Sequence, residues 1–307
     1  LRLYSHLNLV FIRLLTVLVP RFLLPPCALF WGGLFYLFLG RKRGCVRKNL
    51  RVVTGRRRVE SLVFATFYNF AINWCDIMLM GSLKGKRLFG LIGRQSGDGP
   101  LQEALAAGRG AILISMHLGN WELGGLGLAA KGYRLNILTF REPDEKVNRQ
   151  RAALRLERGM NFIYVDRQAP SSLAMIEAVN ALNRNEVLAI LGERDGASRT
   201  VELDFFGRPT PIPVGAAYLA LASGAPVIPV FIPREGSRYL AVMEKPIRFQ
   251  ARRDGRERAV REGMSLILRV FERYVRAYPS QWYNFYDYWA RHDLVPPTPS
   301  REGSGSP

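Results

Sequence analysis

Of the three histidines in the chain, His6, His117 and His292, one sits where residue types and spacing suggest chemistry. His117-Leu118-Gly119-Asn120-Trp121-Glu122 follows an apolar run of strand length, Ala111 to Met116, and opens a helix candidate, Asn120 to Ala130, with Asn120 as N-cap. On one continuous helix, five positions would set His117 and Glu122 about 140° apart. Across a strand-turn-helix corner the two side chains can meet. A carboxylate holding one imidazole nitrogen fixes the tautomer and leaves the other nitrogen basic, so the pair reads as a general base with its orienter. Glu122 also fits a simpler role, an acid complementing the dipole in a first helical turn.

A protein nucleophile is missing from this picture. No Gly-x-Ser-x-Gly elbow occurs, and Cys27, Cys45 and Cys75 lie far from the motif in sequence. The attacking group is then a substrate hydroxyl whose proton His117 removes, and attack on a thioester would transfer an acyl group with no covalent enzyme intermediate. No His-Glu-x-x-His occurs and the histidines are scattered, so no metal and no other cofactor is expected. The cysteines form no Cys-x-x-Cys, as suits a reducing cytoplasm.

The elements that must position His117 read as an α/β layered domain with a largely parallel sheet. Short apolar strands (Ala111 to Met116, Leu135 to Phe140, Asn161 to Val165, Val187 to Leu191, Pro226 to Ile232, Tyr239 to Met243) alternate with helices. The helices are Ser61 to Leu83, Gln102 to Gly108, Asn120 to Ala130, Lys146 to Arg158, Ser171 to Asn183, Val214 to Ser223 and Arg256 to Tyr278. Residues 294 to 307, with four prolines and several Gly and Ser, read as a disordered tail. The strand-to-helix corner at His117 is where open α/β sheets keep their sites.

Charge is placed unevenly. Lys and Arg total 44 against 25 Asp and Glu, a formal net charge of +19. Twelve basic residues and no acid fall in residues 1 to 58, beside the uncharged stretches Leu14 to Val19 and Phe22 to Leu39. Grease next to a cationic cluster reads as a membrane-associating segment on an anionic leaflet. Pro20, Arg21, Pro25 and Pro26 cut the apolar stretch into pieces shorter than a span of roughly 20 residues, which favours an embedded or interfacial anchor over a full crossing, with a buried core helix as the remaining alternative. The expected division is residues 1 to 58 as this segment, 59 to 293 as the α/β domain, and the tail. A non-catalytic basic protein binding membrane or nucleic acid is the rival reading. Nucleic acid is disfavoured, because the densest charge adjoins grease and no helix-turn-helix, zinc-finger or RNP signature appears. A hydrolase is a second rival.

The segment His117 to Gly125 (HLGNWELGG) resembles the His-x4-Asp/Glu motif of the lysophospholipid acyltransferase-like superfamily. It is closest to the branch containing the lipid A late acyltransferases (lauroyl and myristoyl) and the phosphatidylinositol mannoside acyltransferases. Three further blocks in the same order are similar: Gly192-Glu193-Arg194-Asp195 with Val201 to Pro209, Gly215 to Arg234, and Pro279-Ser280-Gln281-Trp282, where Ser280 stands for the branch's Glu. The resemblance implies a glycerolphosphate acyltransferase-like layered fold on the cytoplasmic face of the inner membrane. It implies His117 as base with Glu122 as partner, and an acyl-acyl carrier protein or acyl-CoA donor. The leading acceptor is an anionic glycolipid of the lipid A precursor type, with a phosphatidylinositol mannoside or other lysophospholipid as the alternative. Asn120, Arg141, Arg158, Arg194, Asp195 and Arg208 are the expected acceptor-binding residues, arginine suiting phosphate because its fork binds two oxygens at once.

Overall fold

Proline begins the first described helix instead of breaking it. The computed structural model describes residues 21–80, 83, 85–140, 159–165, 172–194, 199–250 and 255–290. Helix α1, Leu24–Phe38, carries Pro25 in its first turn, where a missing N–H costs nothing because no intrahelical acceptor awaits it. Its buried residues Leu24, Ala28 and Gly32 recur every four positions and form one stripe. At Gly32 a Cβ would lie 3.0 Å from the Tyr68 Cα, so glycine lets this face pack close against the neighbouring helix α3, Glu60–Met80, without displacing its backbone. The rest of α1 and its approach expose Phe22, Leu29, Phe30, Leu37 and Phe38.

Helix α2, Gly40–Thr54, follows after one residue and buries Val46, Asn49, Leu50 and Val53. These apolar residues join the same core as the sheet. Among the described residues α3 alone is long and apolar enough to cross a membrane, and half of its apolar window is buried inside the protein. Its Asn69 bonds Ser280 and its buried Asp76 accepts from Tyr239, so α3 is built into the core.

A short helix α4, Lys86–Phe89, leads to strand β1, Ile92–Gln95, and helix α5, Gly99–Ala106. Strand β2, Ala111–Ser115, is followed by helix α6, Trp121–Ala130, then by β3, Leu135–Phe140, and β4, Met160–Val165. Helix α7, Ser172–Asn183, and β5, Val187–Leu191, precede a hairpin of β6, Thr200–Asp204, and β7, Pro209–Pro213. Helix α8, Gly215–Ser223, stops at Gly224 (φ +72°) before β8, Val227–Phe231. Strands β9, Arg234–Glu235, and β10, Arg238–Met243, and helix α9, Arg256–Ala277, complete the order.

The sheet runs β1-β10-β8-β2-β5-β3-β4, with β9 on β10. β8, β2, β5, β3 and β4 are mutually parallel, and the β10–β8 pairing is antiparallel. This is the largely parallel layered α/β architecture that the alternation of strands and helices implies. All five β2 residues are buried because both faces are covered. Ile112 and Ile114 meet the core built with α7, α8 and α9, while Ala111 and Leu113 meet that of α5 and α6.

The predicted strands and helices recur with end shifts of at most three residues. The helix expected at Lys146 to Arg158 and the tail at 294 to 307 lie outside the described residues. Helices α2 and α4, strands β1 and β9 and the β6–β7 hairpin have no counterpart among the expected elements. β7 hides behind Pro209, Pro211 and Pro213, which alternate along a strand paired on one side. An edge strand tolerates proline where its N–H would face away from the partner.

Candidate active site

Two neighbouring parallel strands bring together residues 76 positions apart. Ser115 of β2 pairs with Leu191 of β5, and the Gly192 N–H donates to the Ser115 carbonyl (2.9 Å). Two residues beyond that pair, at the carboxyl ends of the strands, come His117 and Glu193. His117 Nδ1 lies 2.6 Å from Glu193 Oε1, and the His117 backbone N–H donates to the same oxygen at 3.0 Å. The Glu193 side chain is fully buried and that of His117 is 18% exposed, so the acid is sealed below and the imidazole reaches the surface of the site. With Nδ1–H donating to the carboxylate, the basic nitrogen is Nε2.

Burial alone would raise the Glu193 pKa. The charge and ring hydrogen bond of His117, the Arg194 guanidinium at 3.5 Å and the His117 backbone N–H outweigh it, and the carboxyl ends below its ordinary value. Glu193 therefore stays a carboxylate. Local spacing singled out Glu122 as the acid beside His117; the carboxylate on Nδ1 is Glu193. Glu122 occupies the first turn of α6, half-buried.

The corner between β2 and α6 is stitched to distant backbone. The Gly119 N–H donates to the Gln281 carbonyl (3.0 Å), Asn120 N–H to Ile232 (2.8 Å), and Tyr283 N–H to His117 (2.8 Å). Gln281 in turn exchanges two bonds with the Arg234 backbone, its Oε1 accepting at 2.7 Å and its Nε2 donating at 2.8 Å. This gives the Pro279-Ser280-Gln281-Trp282 block a physical purpose, that of holding the histidine loop from behind. The Trp121 ring packs edge-on against the imidazole, with centroids 5.0 Å apart.

Gly119 turns the chain at φ +65°, and a Cβ there would sit 2.2 Å from the Ile232 carbonyl oxygen. Both the conformation and the space demand glycine. Gly119→Ala is expected to lower unfolding free energy by more than about 2 kcal/mol in urea titrations. Wild-type stability in that variant would contradict the packing of this corner.

Asn120, expected at the acceptor, is fully buried. Its Oδ1 accepts from the Leu123 N–H at 3.0 Å, so its side chain is committed to capping α6. Behind it, the Tyr239 hydroxyl donates to Asp76 Oδ2 at 2.6 Å, and burial followed by the Asp76 charge drives the phenol pKa well above its ordinary value.

Arg194 is likewise engaged within the fold. Its Nη2 donates to the Tyr283 carbonyl at 2.6 Å, its Nε donates to Asn284 Oδ1 at 3.1 Å, and the Tyr286 ring covers its guanidinium at 5.7 Å. Arg208 is exposed, with its guanidinium 5.8 Å from the Trp289 centroid. Arg141, Arg158 and Asp195 lie outside the described residues.

Phosphatidylinositol mannoside acyltransferases of Mycobacterium tuberculosis (strain CDC 1551 / Oshkosh) and Mycolicibacterium smegmatis are similar to this chain. The first is 30% identical over 196 residues, covering 62% of this chain and 61% of the relative. The second is 29% identical over 195 residues, covering 62% and 63%. The chain thus aligns with about three fifths of the length of these curated relatives. A family profile described as bacterial lipid A biosynthesis acyltransferase matches residues 2–291, nearly the whole chain. With the ordered sequence blocks gathered around one histidine corner, that match places the chain in the bacterial lipid A biosynthesis acyltransferase family.

Proposed function

We propose that the protein is a membrane-associated O-acyltransferase that moves a fatty acyl chain from a thioester carrier to a hydroxyl of an anionic glycolipid. The observation that carries this reading is the short bond between the half-buried His117 ring and the sealed Glu193 carboxylate at the carboxyl ends of adjacent strands. His117 Nε2 takes the proton of the acceptor hydroxyl as its oxygen attacks the thioester carbon. The resulting imidazolium is stabilised by Glu193. The tetrahedral oxyanion then collapses, the C–S bond breaks, and the proton passes to the departing thiolate. First-turn N–H groups of α6 are the donors we assign to the oxyanion, since a helix start lacks intrahelical acceptors for them. Those of Gly119, Asn120 and Leu123 are already spent on Gln281, Ile232 and the Asn120 cap. Glu122, in the same first turn, is the second carboxylate of the site and a positioning acid for the imidazole or the incoming hydroxyl.

For the acceptor, similarity to the mycobacterial enzymes favours a phosphatidylinositol mannoside or a related glycolipid over a lipid A precursor, to which the family description points. The donor is an acyl-CoA or an acyl-acyl carrier protein. Arg141, Arg158, Asp195 and Arg208 are assigned to the acceptor, and Arg194 acts on it through Glu193 and the Tyr283 backbone. The exposed apolar side of α1 and the basic residues after it fit the cytoplasmic leaflet of the inner membrane.

The test is to incubate the purified protein with palmitoyl-CoA or palmitoyl-acyl carrier protein and either acceptor, then follow products by mass spectrometry. Acylated phosphatidylinositol mannoside is the expected product. Acylation of the lipid A precursor alone would reassign the acceptor, and free fatty acid without any ester would make the protein a hydrolase.

A further inference from the structure

Helix α2 opens with an electrostatic oddity. Its first turn holds Arg41, Lys42 and Arg43 and no acid, although a helix N-terminus already carries partial positive charge. Arg43 is used internally, donating to the Tyr36 carbonyl at 2.8 Å. Arg41 and Lys42 have no ion-pair partner among the described residues. Both line a cavity of about 640 Å³ between the α1–α2 junction and the C-terminal segment. Phe38, Leu39 and Phe285 form its apolar wall. Its one acid, Asp287, is neutralised by Lys48 at 2.8 Å. The remaining charge is therefore positive, and it lies beside the outward-facing Leu37 (65% exposed) and Phe38 (70% exposed) of α1.

We propose that this cavity binds an anionic phospholipid of the bilayer, with its phosphate between Arg41 and Lys42 and a chain along Phe38, Leu39 and Phe285. A cationic rim over an apolar wall matches an anionic amphiphile, and neither a neutral lipid nor a free anion satisfies both parts. The exposed α1 residues set the opening at the level of the membrane surface. Tyr286, the ring that covers Arg194, also lines the cavity, so the lipid sits one side chain from the support of the His117–Glu193 pair.

Cys45 also lines the cavity, and its alkylation reports occupancy independently of any transfer reaction. The full chain in a non-ionic detergent is treated with a maleimide, and labelling of Cys45 and Cys27 is followed by peptide mass spectrometry. Dihexanoyl phosphatidylglycerol is expected to slow Cys45 labelling about fivefold near four times its Kd, with Cys27 unaffected. Dihexanoyl phosphatidylcholine and glycerol 3-phosphate are expected to give no protection. The double variant R41A/K42A should lose the protection while keeping the wild-type melting temperature. Equal protection by phosphatidylcholine, protection by glycerol phosphate alone, retention of protection in R41A/K42A, or no protection would each overturn the assignment.

Discussion

Replacing His117 with alanine is expected to lower ester formation by at least about 10³-fold, the upper range for loss of a positioned general base. The chain should still fold and associate with membranes. The fold survives because Glu193 keeps the backbone N–H of residue 117 and the nearby Arg194 when the imidazole goes. What it loses is the imidazole's charge and ring hydrogen bond, the two strongest influences that lower its pKa. A modest loss of stability should therefore accompany the large loss of rate, because a buried carboxylate has lost a partner. Single-turnover measurements with saturating donor, beside circular dichroism of the same preparation, separate the two effects. Turnover within tenfold of wild type would remove His117 from the chemistry.

Glu193→Gln is expected to reduce kcat by about 10²- to 10³-fold with KM little changed, since the transition state, not the bound ground state, carries the imidazolium. The substitution preserves volume and leaves an amide oxygen able to accept from Nδ1, so the loss reports the missing negative charge. Glu122→Ala should cost less than His117→Ala, as a positioning acid would. If Glu122→Gln proves far more damaging than Glu193→Gln, Glu122 takes over as the orienter.

Glu193→Gln also carries a pH signature. The wild-type carboxyl is depressed on folding, so its contribution to stability is complete above the unfolded value of about 4.3 and fades as pH falls through the lower folded value. Between those limits the wild type loses stability that the glutamine variant never had. Thermal unfolding at pH 6 and pH 3 should show the gap between them narrowing toward acid.

The acidic partner on Nδ1 shows how far the sequence reaches. His117 is legible because it ends an apolar strand-length run and precedes an N-cap, and both features are local. Glu193 has no local signal, being 76 residues away, yet a counting argument was available. Ala111 and Val187 begin apolar runs of six and five residues, and His117 and Glu193 each stand six residues after those starts. Pairing those runs side by side in register puts the two residues together. Periodicity identifies each run as a strand and says nothing about which strands become neighbours.

The same division holds elsewhere. Apolar periodicity, glycine stops and the Asn120 cap are short-range preferences, so the central alternation of strands and helices, and the corner bearing His117, were determined by sequence alone. Proline has a fixed φ but no fixed position in an element. Pro25 and Pro26 therefore read as breaks until packing against α3 made them a helix start, and the prolines of β7 hid a strand until β6 paired with it. Asn120 read both as a cap and as a ligand group, and Arg194 as a ligand group. Tertiary structure buried Asn120 completely in its cap and bound Arg194 to Tyr283 and Asn284, because buried polar groups must find partners wherever the fold places them. Neighbouring strands, burial of a carboxylate and the direction of a side chain depend on contacts between distant segments, and only the folded chain could decide them.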